Sequence, residues 1–98
     1  MQGDRDVRDN VAENRYELAT ERGIAFTQYR LHDGTVTFTH TVVPKAMEGQ
    51  GIASRLVAGA LADVRAHGLR LISRCPFVTA YLQRHPEQHD LLAEPLRG

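Results

Sequence analysis

The residues with the clearest chemical potential lie in one run, Val42-Val43-Pro44-Lys45-Ala46-Met47-Glu48-Gly49-Gln50-Gly51-Ile52-Ala53-Ser54-Arg55-Leu56. A strand pattern enters a loop holding two glycines and leaves it directly as an amphipathic helix. Gly49 and Gly51 let the backbone come close to a ligand, and the first turn of the helix presents N–H groups that have no intrahelical partner. With the positive end of the helix dipole added, the junction suits an anion, above all the diphosphate of a cofactor. It is not the dinucleotide fingerprint G-x-G-x-x-G, because the third glycine is missing, nor a P-loop, because no G-K-[ST] follows.

Three further side chains could carry chemistry. His40 carries an imidazole, a side chain suited to proton transfer, and stands close to the end of the strand that feeds the loop, where a general base would be useful. It also shares a strand face with apolar neighbours, which makes a packed core or crevice-lining histidine the competing expectation. Cys75 precedes Pro76 and a helix, so the helix dipole favours its thiolate; a nucleophile, a pocket-lining thiol and an inert buried small apolar group are all compatible with that position. Tyr81, further along that helix, stands at the spacing of a core residue that keeps its hydroxyl wet. His67, His85 and His89 form no metal motif, since Pro86 interrupts the last pair and no H-x-x-x-H falls on one helix, and no metal is expected.

These groups need elements to hold them. Arg15 to Thr20 and Ile24 to His32 read as strands, Gly23 opening the second, and Asp33-Gly34 between His32 and Thr35 signals a two-residue hairpin turn. Thr35 to Val43 alternates, with Val36, Phe38, His40 and Val42 on one face and threonines on the other. Ile52, Leu56, Ala60 and Val64 then step by four, flanked by Val57 and Leu61, which predicts a helix over 52–67 ended by Gly68. Leu69 to Arg74 is a fourth strand, and a second helix runs from Pro76 to just before Pro86. The order is β-β-β-α-β-α with a short C-terminal tail. A meander followed by a helical crossover gives a mixed sheet, with the binding crevice where the third and fourth strands meet the helix N-termini.

Composition narrows the classes. Ninety-eight residues make one domain with one thin core. Twelve basic and twelve acidic residues cancel, against the basic stripe of a nucleic-acid binder and against an electrostatic membrane anchor. A lone cysteine excludes an intramolecular disulfide, and no apolar run approaches the length of a membrane span, so a soluble, cytoplasmic protein is expected. Residues 1–12 are charged and expected to be mobile, leaving residues 13–98 as the domain.

The loop resembles the acetyl-CoA loop of the GNAT (GCN5-related) acetyltransferase superfamily, whose pattern is Gln or Arg, two residues, Gly, one residue, then Gly or Ala. Gly51 and Ala53 fit, while Glu48 stands where Gln or Arg is usual. Further landmarks follow in order: Asn10 to Tyr16, Thr39-His40-Thr41, Arg74-Cys75-Pro76-Phe77-Val78, Tyr81 and Arg84-His85-Pro86. Together they are similar to the very small single-domain members. The resemblance implies an α+β, sandwich-like minimal GNAT fold that binds acetyl-CoA or CoA and moves an acetyl group to an amine. It implies that Val42 and Val43 present backbone to the pantetheine arm, that Gly49, Gln50, Gly51, Ile52, Ala53, Ser54 and Arg55 meet the pyrophosphate, and that Cys75, Phe77, Tyr81 and Arg84 complete the cofactor site. His40, Cys75 and Tyr81 become the candidate base, nucleophile and acid. Relatives often carry a glutamate at the position Val42 fills, which leaves the base open between His40 and a water molecule, and a base-free mechanism open as well. The acceptor is an unidentified amine on a small molecule or a protein, and a homodimer is compatible. The rivals are a non-catalytic CoA-binding or interaction module and a Cys75-dependent thioesterase with His40 or His85 as base.

Overall fold

The computed structural model describes residues 6–96. Five strands, β1 (Val7–Asn10), β2 (Arg15–Thr20), β3 (Gly23–His32), β4 (Thr35–Val42) and β5 (Arg70–Ser73), form one sheet in sequence order. The first four are antiparallel neighbours, and α1 (Ile52–Ala66) carries the chain over so that β5 lies parallel to β4. The helix α2 (Pro76–Arg84) follows β5 directly.

Local signals account for most of this. Asp33 and Gly34 both take positive φ, 50° and 76°, the geometry of a turn whose twist matches the two strands it joins. In α1 the buried side chains are Ile52, Leu56, Val57, Ala60, Leu61 and Val64, the stripe its period of 3.6 requires. Strand residues Leu18, Ala25, Val36, Phe38 and Leu71 pack beneath it, and Val78 and Leu82 of α2 join the same core. Both helices therefore lie on one face of the sheet, giving two layers.

The structure departs from the sequence reading at three places. Residues 7–10, within the stretch expected to be mobile, are paired: Val7 opposes Leu18 and Asp9 opposes Tyr16. Asp9 also accepts a hydrogen bond from the Tyr29 hydroxyl at 2.6 Å. The first five residues of that stretch lie outside the described residues. The C-terminal tail is structured too, forming a 3-10 helix over Pro86–Leu91 that seats Leu91 in the core, after which Leu92 bridges Leu71.

The third departure matters most for the site. Along the β3–β4 pair Tyr29 opposes Phe38, yet Gln28 opposes His40, so Thr39 is an extra residue in β4. Such a bulge reverses the alternation beyond it. Val36 and Phe38 are buried as expected, but Thr41 instead of His40 continues the inner face, where its hydroxyl donates to the buried Thr27 at 2.9 Å. His40 and Val42 turn outward, and Val42 is 42% exposed.

Candidate functional site

The bulge sits where the sheet splits. β4 and β5 pair only from Thr35 and Arg70 to Phe38 and Ser73, closing with the Arg74 N–H on the Phe38 carbonyl at 2.9 Å. Past that point β4 runs on alone beside β3 while the chain of β5 leaves as α2. A cavity of about 540 Å³ opens in the gap. Thr41, Val42 and Val43 form its strand wall, Met47 to Gly49 its loop wall, Gly51 to Ser54 its helix-terminal floor, and Phe77 its far side. A second hollow of about 220 Å³ shares Ala53, Ser54 and Phe77 with it and extends along α1 and α2 to Val57, Tyr81 and Arg84. The cleft thus runs from the sheet split, past one helix terminus, to an arginine.

The loop conformation explains the glycines. Gly49 and Gly51 hold φ of 80° and 67°, a region that strains any other residue here, and the space off each Cα is open. Gly51 is the N-cap of α1 and offers no side chain to its first turn, whose intrahelical ladder begins with the Arg55 N–H on the Gly51 carbonyl at 3.1 Å. The amides of Ile52, Ala53 and Ser54 are left as donors at the cavity floor. Met47, fully buried, anchors the loop against Gly23 at the start of β3. These features fit an extended molecule carrying a diphosphate, while the exposed Glu48 on the same wall brings a negative charge where the GNAT loop has Gln or Arg.

Of the sequence-predicted cofactor residues, Val42, Val43, Gly49, Gly51, Ile52, Ala53, Ser54 and Phe77 line the cavity, and Tyr81 and Arg84 line its extension. Gln50 and Arg55 do not. Both are exposed, and the Arg55 guanidinium lies 3.4 Å from Asp6. Thr41, Met47 and Val57 were not anticipated. Thr41 faces the cavity only because of the bulge, whereas Met47, a large apolar residue inside a loop, is itself a signal of a buried anchor.

Of the three candidate catalytic side chains, Tyr81 reaches the cleft through its extension, while His40 and Cys75 do not line it. His40 is exposed on the opposite face of β4 from Thr41, with Nδ1 3.2 Å from the Thr39 hydroxyl and its ring edge-on to Phe26 at 6.2 Å. Cys75 is fully buried, outside the cavity lining, with Sγ 3.1 Å from the Thr41 hydroxyl. The Thr41 hydrogen already goes to Thr27, so the Cys75 S–H is the donor in that contact. Tyr81 stacks on His85 at 4.1 Å. Burial, then the negative charge of Glu87, holds its phenol pKa above the ordinary value. Among the described residues no three His, Cys, Asp or Glu side chains gather as a metal site, and no helix is long and apolar enough to cross a membrane.

The architecture, a mixed sheet split beside a glycine loop and a helix N-terminus, is that of a GNAT fold. The GCN5-related N-acetyl-transferase family model matches residues 15–91, and the chain belongs to that family. Among solved structures it is similar to a GCN5-like N-acetyltransferase candidate from Staphylococcus aureus, with a TM-score of 0.69 at 22% identity over 91% of this chain and 88% of that one. At that identity the likeness speaks for the fold. No curated protein matches the chain.

Proposed function

We propose that this protein binds acetyl-CoA in the cleft and catalyses acetyl transfer to an amine by direct attack. The observation that carries the reading is the cavity at the split between β4 and β5, floored by the uncapped first turn of α1. In this reading the amides of residues 52–54 and Arg84 hold the phosphates. The edge of β4 past Phe38, unpaired with β5, offers peptide groups to the amide-bearing arm. Transfer forms a carbon–nitrogen bond and breaks the thioester carbon–sulfur bond; the amine gives up a proton and the departing thiolate takes one up. His40, exposed at the outer lip, is the candidate acceptor of the first proton, and Tyr81 the candidate donor of the second. Positioning and backbone donors supply most of the rate, so no further cofactor is needed.

Thermal melting with CoA tests the site. Ligand at a hundred times its dissociation constant stabilises the native state by about 2.7 kcal/mol. The wild type should show the corresponding upward shift and Gly51→Glu should lose it; equal shifts in both would exclude the site. A mass-spectrometric screen of amines and peptides with acetyl-CoA then tests transfer. The outward His40 favours one second reading, a CoA-binding module without transfer, which a CoA shift with no acetylated product across the screen would establish.

A further inference from the structure

Both helices pack on one face of the sheet, and the opposite face carries most of the strand charge. By register, Arg8, Arg15, Arg30 and Arg70 point to that outer face with Glu17. Glu17 is neutralised by Arg15 at 2.7 Å and accepts a hydrogen bond from Asn10 at 2.9 Å. The charged strand residue on the helix side is Asp9, bonded to Tyr29. A chain of zero formal net charge therefore presents one basic sheet face. Within it lies an apolar strip: Ile24, 45% exposed, then Phe26 and its cross-strand partner Val42. The Arg15 guanidinium sits over the Phe26 ring at 4.3 Å. Val42 belongs to this strip and to the wall of the cavity, and His40 lies beside it. The outer face and the cleft meet at the lip of β4.

We propose that this face docks the acetyl acceptor, and that the acceptor is an acidic polypeptide segment bearing a lysine or α-amino group, with an apolar side chain set on the Ile24–Phe26–Val42 strip. The identity of the transferred group rests on the acetyltransferase reading; the charge of the partner rests on the face itself. A cationic small amine is disfavoured there, since with Arg15 paired to Glu17 the face keeps an excess of three arginines that repel it. A nucleic acid meets the charge requirement but lacks an aliphatic amine, and it is the competing occupant.

Fluorescence anisotropy would use three labelled probes: a peptide of glutamates and isoleucines around one lysine, its counterpart with every glutamate replaced by arginine, and a single-stranded oligonucleotide. The acidic peptide should bind at least about tenfold more tightly than the basic one, and weaken steeply with added salt. Arg8→Glu with Arg30→Glu should weaken it by on the order of tenfold or more. The milder pair Arg8→Gln and Arg30→Gln should give an intermediate loss, which guards against misfolding of the first variant, as does a melting curve. Indifference to peptide charge or to both variant pairs overturns the proposal, and so does tighter binding of the oligonucleotide than of the acidic peptide. Acidic-peptide binding with no acetylated product on the peptide or across the amine screen would leave the docking face standing while refuting the acetyltransferase reading. Acetylation of small amines with no peptide binding would do the reverse.

Discussion

At the scale of single residues, the inner wall of the cleft is a short chain of weak donors. Cys75 gives its hydrogen to Thr41, and Thr41 gives its own to Thr27, with Cys75 and Thr27 buried and Thr41 half-buried on the cavity wall. A thiol serving as an S–H donor inside a packed wall has neither the access nor the neighbouring base that a nucleophile needs. Cys75→Ala should keep most of its turnover at a cost of about 1 kcal/mol in stability. Incubation of the wild type with acetyl-CoA alone should show no acetyl mass on Cys75; a hydroxylamine-sensitive adduct formed as fast as turnover would restore the covalent route. His40 gives a cleaner experiment than its sequence position suggested. Because the ring is exposed, His40→Ala should change stability by no more than about 0.5 kcal/mol. If the imidazole is the base, turnover should fall on the order of a hundredfold while the CoA-induced melting shift stays the same. A neutral-pH limb of the rate profile that survives in the variant would assign the base to another group.

At the scale of elements, what could be read from the sequence was what is encoded locally. The Asp33-Gly34 turn, the 3.6 period of α1, the Pro76 helix start and the glycines of the loop each depend on a few adjacent residues, and each lies where the pattern puts it. β1 has a single apolar residue, Val7, and exists as a strand because β2 pairs with it and Tyr29 reaches Asp9. Nothing within residues 7–10 signals that. The bulge is hidden for a related reason: Thr35 to Val42 alternates perfectly on paper, and the extra residue at Thr39 shows only in the register with β3. That single slip moved His40 and Val42 from the inner face to the outer one and brought Thr41 into the cleft. Deleting Thr39 should remove the bulge and keep the pairs Gln28–His40, Thr27–Thr41 and Phe26–Val42, so that His40 stays outward and Thr41 inward. The expected result is a variant that folds and keeps the CoA-induced melting shift. Loss of the CoA shift in a variant that still folds would mean that the bend and twist of the bulge, and not only the facing of the residues beyond it, shape the site.

At the scale of the whole molecule, a pair of tyrosines ties the sheet to α1 and to its own edge strand. Tyr16 in β2 donates to Asp63 of α1 at 2.7 Å, and Tyr29 in β3 donates to Asp9 of β1 at 2.6 Å, with the two rings 5.2 Å apart. One bond joins sheet to helix, and the other joins the third strand to the edge strand. Burial raises the pKa of both phenols well above the ordinary value, and the accepting carboxylates, Asp63 and Asp9, raise them further. The sign follows directly. In the unfolded chain these tyrosines lose protons near pH 10, whereas the folded protein retains them, so the native state binds more protons above that pH and stability falls as pH rises. Below pH 10 the contribution is fully present. Denaturant melts should therefore be flat in these groups through neutral pH and decline steeply above about 10. Tyr16→Phe should cost about 1–3 kcal/mol at neutral pH, because Asp63 loses a buried donor, and should flatten the alkaline decline. Asp63→Asn removes the charge but keeps an acceptor, so its decline should be intermediate. A Tyr16→Phe curve parallel to the wild type above pH 10 would show that this phenol does not govern the alkaline limit.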